Sequence, residues 1–229
     1  MILELHIHSK FSPDSLMRPD KIIKAARDMG LNGIAVTDHD TIKGGLSAQK
    51  VNRDRDFSVI VGCEIKSDCG DIIGLFLQEE IRSRCNMEVI DEMRDQGGVV
   101  VLPHPFRGHR LSEEMVSAVH GIETFNSRTG RGENHLAEEL RMRHKKAAVA
   151  GSDAHFYSEI GLARTVIEAC EPEQLRAMIL KGKTAVLDGR PSHLYLQDCS
   201  QLIKAVKLGR YSAIPGLMAG ASARYLLRY

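Results

Sequence analysis

The 229-residue chain contains no tryptophan, and only 5% of its residues are aromatic. An aromatic platform for stacking single-stranded nucleic acid therefore has little support. Lys and Arg total 31 and Asp and Glu total 30, so the net charge of +1 provides no bulk attraction to nucleic acid or to an anionic membrane. No apolar run approaches the roughly 18 residues needed to span a bilayer.

The five cysteines form no CxxC pair and have no regular spacing. This usage favours reduced thiols in a cytoplasmic protein, where Cys63 and Cys69 more often fill a core than bind metal. The first residues lack the basic and apolar regions of a secretory signal, and Glu4 interrupts the apolar residues there. We therefore expect a cytoplasmic location.

Strand-like and helix-like segments alternate along the chain. The segment ILELHI alternates apolar and polar residues, and PDKIIKAARDMG has Pro19 in its first turn, apolar positions on one face and Gly30 at its end. Short apolar runs such as GIAVTDHD, SVIVGCE and VVVLPHP predict further strands. Repeated strand–helix units indicate an α/β fold with a mostly parallel sheet and helices outside it.

No linker or internal repeat divides the chain, so we expect one domain over residues 1–229. The barrel is expected over residues 1–190 and a mostly helical extension over residues 191–229. This extension is basic, with Lys204, Lys207, Arg210, Arg224 and Arg228. Two interpretations of these cations remain open: a solvated helix face, or a contact with a partner or substrate.

Residues able to bind a metal stand at the end of nearly every predicted strand. They are His6 and His8, then Asp38, His39 and Asp40, then Glu64, then His104, and finally Asp153 and His155. The carboxyl ends of parallel strands converge in an α/β barrel, so these side chains are expected to meet in space. Each piece alone has an ordinary explanation as a strand, turn or loop residue. Their arrival together favours a metal site, and the absence of a thiolate argues against a closed structural zinc site.

Five motifs, in this order, resemble those of the PHP family (polymerase and histidinol phosphatase). They are HIHSKFSPDS, AVTDHDT, GCEI, LPHPF and GSDAH, and they span residues 1 to about 165. The resemblance implies a distorted (β/α)7 TIM-like barrel with two or three divalent ions, of Mn, Zn or Fe. It also implies one ion held by His6, His8, Glu64 and Asp153, a second held by Glu64 and His104, and a third held by Asp14, His39 and His155.

The chain departs from that family pattern at one position. Many members carry a further histidine after the glutamate, and here GDIIGL places Asp71 there. Aspartate can bind a hard cation, so the second position either keeps a more carboxylate-rich set or is weakened. Asp14, in SPDS, has an ordinary role in a turn as its alternative. Glu123 and Asn126 are expected to line the site, without ligation by Glu123.

Close divalent cations suit phosphoryl transfer, because they neutralise phosphate oxygens and hold an activated hydroxide in line. The resemblance therefore implies hydrolysis of a nucleotide, an oligonucleotide end or another small phosphorylated metabolite by a metal-bound hydroxide. The candidate catalytic residues are His8, His39, Asp153 and His155. The candidate phosphate-binding residues are Arg107, Arg128, Arg131 and Arg164, and a surface salt bridge is the alternative for each.

Three other functions remain as alternatives. Histidinol phosphate is a second substrate within the same chemistry. An amidohydrolase also begins with HxH, but it needs a bridging lysine that the Glu64 motif does not supply. A non-catalytic metal-binding barrel acting as an interaction module is the third, and the intact set of ligands argues against it. No membrane association is expected, and no protein partner can be named from the sequence.

Overall fold

The computed structural model describes residues 1–226, with side chains described up to residue 221. Nine strands are β1 Ile2–Ile7, β2 Gly33–His39, β3 Ser58–Ser67, β4 Gly70–Leu75, β5 Val99–Leu102, β6 Gly121–Asn126, β7 Ala147–Gly151, β8 Ala163–Ile167 and β9 Thr184–Gly189. The helices within this range are α1 Pro19–Asp28, α2 Lys43–Val51, α3 Asn86–Asp95, α4 Glu113–Ala118, α5 Arg131–His144, α6 Leu175–Leu180, α7 Leu194–Lys207 and α8 Ile214–Leu226. None of these described helices is both long and apolar enough to cross a membrane.

The nine strands form one sheet in the order β7-β6-β5-β4-β3-β2-β1-β8-β9. Strand β4 pairs antiparallel with β3 and β5, and β8 pairs antiparallel with β1 and β9. The other seven strands consequently share one direction. The predicted TIM-like α/β barrel is confirmed, with two reversed strands added to the seven that run together. Strand β8 was not predicted, because ARTVI is short and carries polar residues at two of its five positions.

The sheet curls until β1 approaches β7. The segment after β7 forms a parallel bridge between Ala154 and Ile7, and the amide of His8 donates to the carbonyl of Ala154 at 2.9 Å. Across the same seam, the amide of Ala150 in β7 donates to the Thr165 hydroxyl in β8 at 2.9 Å. These bonds hold the barrel nearly closed and bring the ends of β1 and β7 side by side.

The interior of the barrel changes from apolar to polar along its axis. An apolar cluster fills the lower part, and it includes Leu3, Leu5, Ala35, Ile60, Ile73, Leu75, Val99, Val101 and Val149. Residues two apart on a strand share a face. The face of β3 that begins with Ile60 therefore continues to Glu64, and the face of β2 that begins with Ala35 continues to His39. The alternation brings polar side chains to the mouth, above a packed floor.

A register shift in β1 decides which way its histidines face. The pairing of β1 with β2 shifts between Glu4 and Ile7. Before the shift, Leu3 and Leu5 belong to the interior cluster, whereas Ile7 packs in the outer cluster beneath α1 and α2. A β-bulge turns successive side chains to a different face in this way. The simple alternation predicted for ILELHI was therefore incomplete, since both His6 and Leu5 lie inside.

Helix ends follow the predicted signals. Pro19 is the first residue of α1, and Gly30 adopts a φ of +74° just beyond its end. Ser112 caps α4, where its hydroxyl accepts a hydrogen bond from the amide of Met115 at 3.1 Å. These local signals fix where helices start and stop, so the loops at the mouth have defined lengths.

Truncation of a core side chain is expected to destabilise the fold measurably. Ile90 in α3 is fully buried in the cluster between the helices and the sheet. We expect Ile90→Ala to lower the free energy of unfolding by about 2 to 5 kcal/mol, because it removes buried methyl groups and leaves a cavity. Leu136→Ala, at an exposed position of α5, serves as the control and should change it by less than about 0.5 kcal/mol. Urea unfolding monitored by circular dichroism measures both, and equal losses would contradict the expectation.

Candidate metal centre

All nine predicted metal ligands meet at the mouth of the barrel. They form four overlapping groups whose donor atoms lie within 4.8 Å of one another: His8, Asp14, His39 and His155; His6, His8 and Glu64; His6, His104 and Asp153; Glu64, Asp71 and His104. Asp71 stands near the start of β4 rather than at a strand end. It reaches the same mouth because β4 runs in the opposite direction to β3.

We number the donor groups below after the three ions that the family resemblance implies. The first group, of His6, His8, Glu64 and Asp153, surrounds a point between β1, β3 and β7. The Nε2 atoms of His6 and His8 are 3.1 Å apart, and Glu64 Oε2 is 3.4 Å from each. Asp153 Oδ1 lies 3.6 Å from His6 Nε2 and 3.2 Å from His8 Nε2. Adjacent donors bound to one ion at about 2.1 Å are themselves roughly 3.0 to 3.4 Å apart. The spacing of these four side chains therefore fits one small divalent ion.

The second group shares Glu64 with the first. Glu64 Oε1 is 3.0 Å from His104 Nε2, while its Oε2 faces the histidine pair of β1. The carboxylate thus offers one oxygen to each of two neighbouring positions. Asp71 completes this group, where many members of the resembled family carry histidine. Burial, and then the charge of Glu64, raises the pKa of Asp71.

The third group centres on Asp14, which is buried although it lies in a surface turn. Its Oδ2 is 3.2 Å from His39 Nε2, and its Oδ1 is 3.3 Å from His155 Nε2. Burial alone would raise the pKa of Asp14, but hydrogen bonds from His155 and His39 outweigh it and hold this pKa well below its usual range. The residue therefore lies in a turn and also points its ionised carboxylate into the centre.

The protonation states of two central donors suit metal binding. Burial, followed by the charges of His155 and His39, lowers the pKa of His8 to about 3, so His8 is a neutral imidazole near neutral pH. Burial alone would raise the pKa of Glu64, but the neighbouring His6 and His39 hold it well below its usual range. A neutral imidazole and an ionised carboxylate are the forms that bind metal.

Glu123 has a larger role than the expected lining of the site. Its Oε1 lies 3.0 Å from His6 Nδ1, and its Oε2 accepts hydrogen bonds from the amide of His104 and from Asn126 Nδ2, both at 2.9 Å. A carboxylate on the remote nitrogen of an imidazole fixes the ring and directs the other nitrogen to the ion. Glu123 thus positions two candidate ligands without joining the donor groups.

Two serines of the loop after β1 also hold the ligands, and the sequence analysis missed them. Ser12 Oγ lies 3.1 Å from His8 Nδ1 and accepts a hydrogen bond from the amide of His39 at 2.8 Å. Ser15 Oγ donates to the carbonyls of His8, at 2.9 Å, and His155, at 3.0 Å. Their three-residue spacing in SKFSPDS was the available signal, but serine is common in turns and the spacing alone indicates no site.

Backbone strain marks two of the candidate ligands. His104 has a φ of +28° and Asp153 a φ of +56°, in the left-handed region that residues other than glycine adopt in only a small fraction of cases. Such conformations cost about 1 to 3 kcal/mol and persist where the surrounding structure holds them, often at functional sites. Here both of them direct a donor side chain into the mouth.

The residues that flank His39 do not orient its ring. Asp38 accepts hydrogen bonds from the amide of Ser9, at 2.5 Å, and from the Ser9 hydroxyl, at 2.7 Å, so it supports the loop after β1. Asp40 forms an ion pair with Arg84 at 3.2 Å, at the surface. Asp38 therefore has a structural role in that loop, and Asp40 is exposed to solvent.

Two of the four candidate phosphate-binding arginines line the mouth, and they differ in how free they are. Arg107 Nη2 donates to Asp153 Oδ2 at 2.6 Å, and its side chain is 37% exposed. Arg128 is buried and forms two hydrogen bonds to Glu159, at 2.9 and 2.8 Å, and a third to Ser200 Oγ at 3.1 Å. The guanidinium of Arg128 is thus committed to structure, and Arg107 remains the available arginine of the pair.

The other two arginines lie away from the mouth. Arg131 is exposed at the start of α5, and Arg164 in β8 forms a salt bridge with Asp188 in β9. Neither is among the residues that line the cleft. Their prediction as phosphate contacts is not supported, because sequence position did not show on which side of the barrel they would emerge.

The donor groups open into a cleft of about 450 Å³. Asp14, His39, Glu64, Asp71, Arg107, Arg128, Asp153, His155, Leu194, Gln197, Asp198, Ser200, Gln201 and Lys204 line it. The last six of these belong to α7, which runs across one side of the mouth. A larger surface cavity of about 810 Å³, between α1 and the loop after α2, contains no histidine and none of the donor groups.

The remaining predictions concern cysteine, serine and the basic extension. Cys63 is buried in the apolar cluster under α3, as expected, and no cysteine joins a donor group of the described residues. The Ser152 hydroxyl donates to the buried Glu4 carboxylate, so this serine has a structural role. Arg228 and the side chain of Arg224 lie outside the described residues.

A methyl group at Gly151 is expected to disrupt the centre. A Cβ there would collide with Glu123 Oε1 and with the Cβ of His6. We expect Gly151→Ala to weaken divalent-ion binding by about 10-fold to 100-fold, since it displaces the carboxylate that orients His6. Gly132→Ala is the matched control, because a Cβ there meets nothing within 4 Å. Isothermal titration with Mn²⁺ compares the two, and unchanged binding in Gly151→Ala would refute the expectation.

The role of Asp71 can be tested by substitution in two directions. We expect Asp71→Ala to bind one fewer ion per chain than the unchanged protein, because Glu64 and His104 then lose a donor. Asp71→His should retain that ion, since imidazole also binds these metals. Metal content measured by inductively coupled plasma mass spectrometry decides the matter. Full occupancy in Asp71→Ala would show that Asp71 is not a ligand.

Comparison with known proteins identifies the family. The PHP domain model matches residues 4–186. The uncharacterized protein MJ1587 of Methanocaldococcus jannaschii is 35% identical over 144 residues, which cover 56% of this chain and 82% of that protein.

Two solved structures share the fold. A two-domain protein of Bacteroides vulgatus, which contains a predicted PHP-like metal-dependent phosphoesterase, superposes with a TM-score of 0.69 at 19% identity, covering 82% of this chain and 65% of its own. A Bifidobacterium adolescentis protein assigned as a metal-dependent phosphoesterase superposes with a TM-score of 0.60 at 18% identity, covering 84% and 97%. The motifs, the barrel and the family match agree, and the chain belongs to the PHP domain family.

Proposed function

We propose that this protein is a metal-dependent phosphoesterase that hydrolyses a small phosphate ester. The observation that carries the proposal is the meeting of overlapping donor groups, two of which share Glu64, with the cations Arg107 and Lys204 on the wall of one cleft. Phosphate esters carry negative charge on several oxygens at once. A site in which divalent ions and cationic side chains lie next to one another matches that charge distribution.

Divalent ions bound by these residues would neutralise phosphoryl oxygens and lower the pKa of a water molecule toward neutrality. The chain itself fixes where those positions are. Glu64 presents its two oxygens to adjacent groups, and Glu123 fixes the ring of His6. Both carboxylates are buried and contact candidate histidine ligands, so the places of these ligands are fixed before a substrate binds.

Arg107 is the residue of the chain best placed to bind a phosphoryl oxygen. Its guanidinium has five N–H donors. The hydrogen bond to Asp153 uses one of them, from Nη2. Planar guanidinium groups bind phosphate through two parallel hydrogen bonds. The contact with Asp153 also holds Arg107 beside the first donor group, so that one arginine serves both orientation and binding.

The cleft supports a small and polar substrate. Its volume of about 450 Å³ lies within the range of small-molecule sites, and α7 borders it on one side. Among the described residues that line it, Leu194 is the one aliphatic residue and none is Phe or Tyr. This lining favours a small phosphorylated metabolite with hydroxyl groups over a nucleotide or oligonucleotide end whose base would need stacking.

The alternatives are decided by the same assay. No feature of the described cleft specifically favours histidinol phosphate, so the assay includes it as one test substrate among others. A non-catalytic barrel is disfavoured because no donor of the expected set is missing from the mouth.

We expect the purified protein to bind more than one divalent ion per chain and to release phosphate with Mn²⁺, Zn²⁺ or Mg²⁺. Test substrates are p-nitrophenyl phosphate, bis(p-nitrophenyl) phosphate, sugar phosphates, nucleotides and histidinol phosphate. His8→Ala should lose activity while keeping its circular dichroism spectrum. A chain that binds these ions and hydrolyses none of the esters would overturn the proposal.

Removal of metal should also change stability. A ligand that binds the folded state stabilises it by about 2.7 kcal/mol at a concentration of 100 times Kd. We therefore expect excess Mn²⁺ to raise the Tm by several degrees relative to protein in EDTA. Differential scanning fluorimetry measures this shift, and an unchanged Tm would speak against metal binding to the folded chain.

Arg107→Ala is expected to raise the KM for a phosphate ester by about 10-fold or more, because hydrogen bonds to a charged group contribute roughly 1.5 to 3 kcal/mol. Its metal content should stay the same. Arg131→Ala is the matched control, since that arginine is exposed and lies outside the cleft. Steady-state kinetics compares the two variants, and equal KM values would remove Arg107 from the site.

A further inference from the structure

Helix α7 borders the candidate metal centre although it follows the part of the chain that defines the family. The family match ends at residue 186, and α7 spans Leu194–Lys207. Six of its residues line the cleft. Its placement is fixed by the buried Arg128, whose Nη1 donates to Ser200 Oγ at 3.1 Å and whose carbonyl accepts from Gln197 Nε2 at 2.8 Å.

At its end, α7 contacts the loop that carries Asp14. The ammonium group of Lys207 donates to three backbone carbonyls of this loop, those of Lys10 at 2.8 Å, Ser12 at 2.5 Å and Ser15 at 3.1 Å. An ammonium has three N–H donors, and here all three have an acceptor. One side chain thus draws together carbonyls on both sides of Asp14.

The same loop reaches the histidines of the third donor group. Ser12 is bonded through its carbonyl to Lys207 and through its hydroxyl to His8 and His39. Ser15 is bonded through its carbonyl to Lys207 and through its hydroxyl to the carbonyls of His8 and His155. Lys207 therefore contacts the two residues that set the positions of these ligands.

One turn earlier in α7, Lys204 faces the cleft. Its Nζ lies 3.5 Å from Asp14 Oδ2, and its side chain is 36% exposed. That separation is at the limit of a hydrogen bond, so the contact is weak. The ammonium retains donors that can turn toward an anion in the cleft, beside the third donor group.

We propose that α7 completes the metal centre. In this arrangement Lys207 is a positioning residue that holds the Asp14 loop in its ligating geometry, and Lys204 binds the phosphoryl group of the substrate beside the third donor group. The inference rests on the proposed function, since it assigns parts of the same site. It extends the functional unit beyond the matched domain into the C-terminal segment.

Lys207→Met tests the positioning role without requiring turnover. We expect Mn²⁺ titration to show one class of ions bound at least 10-fold more weakly, with the other ions unchanged, because the Asp14 loop loses three hydrogen bonds. Lys207→Arg should recover part of that affinity, since guanidinium also donates to carbonyls. Arg210→Met is the matched control, because this cation is exposed and lies beyond the end of α7. Circular dichroism establishes that each variant is folded.

Lys204→Met tests the binding role. We expect unchanged metal content and a KM raised about 10-fold for the best ester found, with a smaller change in kcat. Wild-type affinity for every ion in Lys207→Met would overturn the positioning role, and an unchanged KM in Lys204→Met would overturn the binding role. If the unchanged protein binds no ion, the proposed function itself fails. If the unchanged protein binds ions and both variants behave as it does, this inference alone fails.

Discussion

The mouth of this barrel concentrates buried negative charge, and the surrounding structure depends on offsetting it. Asp14, Glu64 and Asp153 are almost fully buried within a few ångströms of the same histidines. Ionised carboxylates are costly to remove from water unless cations or hydrogen bonds replace the hydration. Imidazoles from five positions, the guanidinium of Arg107 and the ammonium of Lys204 supply this replacement, and divalent ions would supply more. The capacity of the site to bind divalent ions follows from this concentration of carboxylates and imidazoles.

The barrel makes such a concentration possible by separating its floor from its mouth. Apolar residues of the lower layer form a continuous buried core. The polar layer above it can therefore hold the site without disrupting this packing. The register shift in β1 matters here because it turns His6 inward beside Leu5. Without the shift, the alternation of the strand would place His6 and Leu5 on opposite faces. The reversal of β4 has a similar effect, as it brings Asp71 to the same end of the barrel as Glu64.

The centre is built from more than its ligands. Glu123, Ser12 and Ser15 hold candidate ligands in place, and Lys207 holds the loop to which the two serines belong. Arg128, buried between Glu159 and Ser200, links that barrel to α7. A chain of contacts therefore joins α7 to Asp14. This organisation explains why a helix beyond the matched domain lies against the site instead of forming a separate unit.

Much of the site was predictable from sequence, because the ligand motifs sit at strand ends and the topology of a parallel sheet brings strand ends together. Seven of the nine candidate ligands, all except Asp14 and Asp71, follow from this pattern, and local signals also give Pro19 at the start of α1 and the cap at Ser112. Asp14, Asp71 and the barrel itself came from the resemblance to the PHP family. What sequence could not supply was orientation around the barrel. Arg107 and Arg164 both follow a candidate ligand in the sequence, yet Arg107 faces the mouth and Arg164 pairs with Asp188. The place of each strand in the closed sheet decides to which side the residues near it point. The same holds for Glu123, the loop serines and Lys207, whose partners are distant in sequence and meet them only when the sheet has curled.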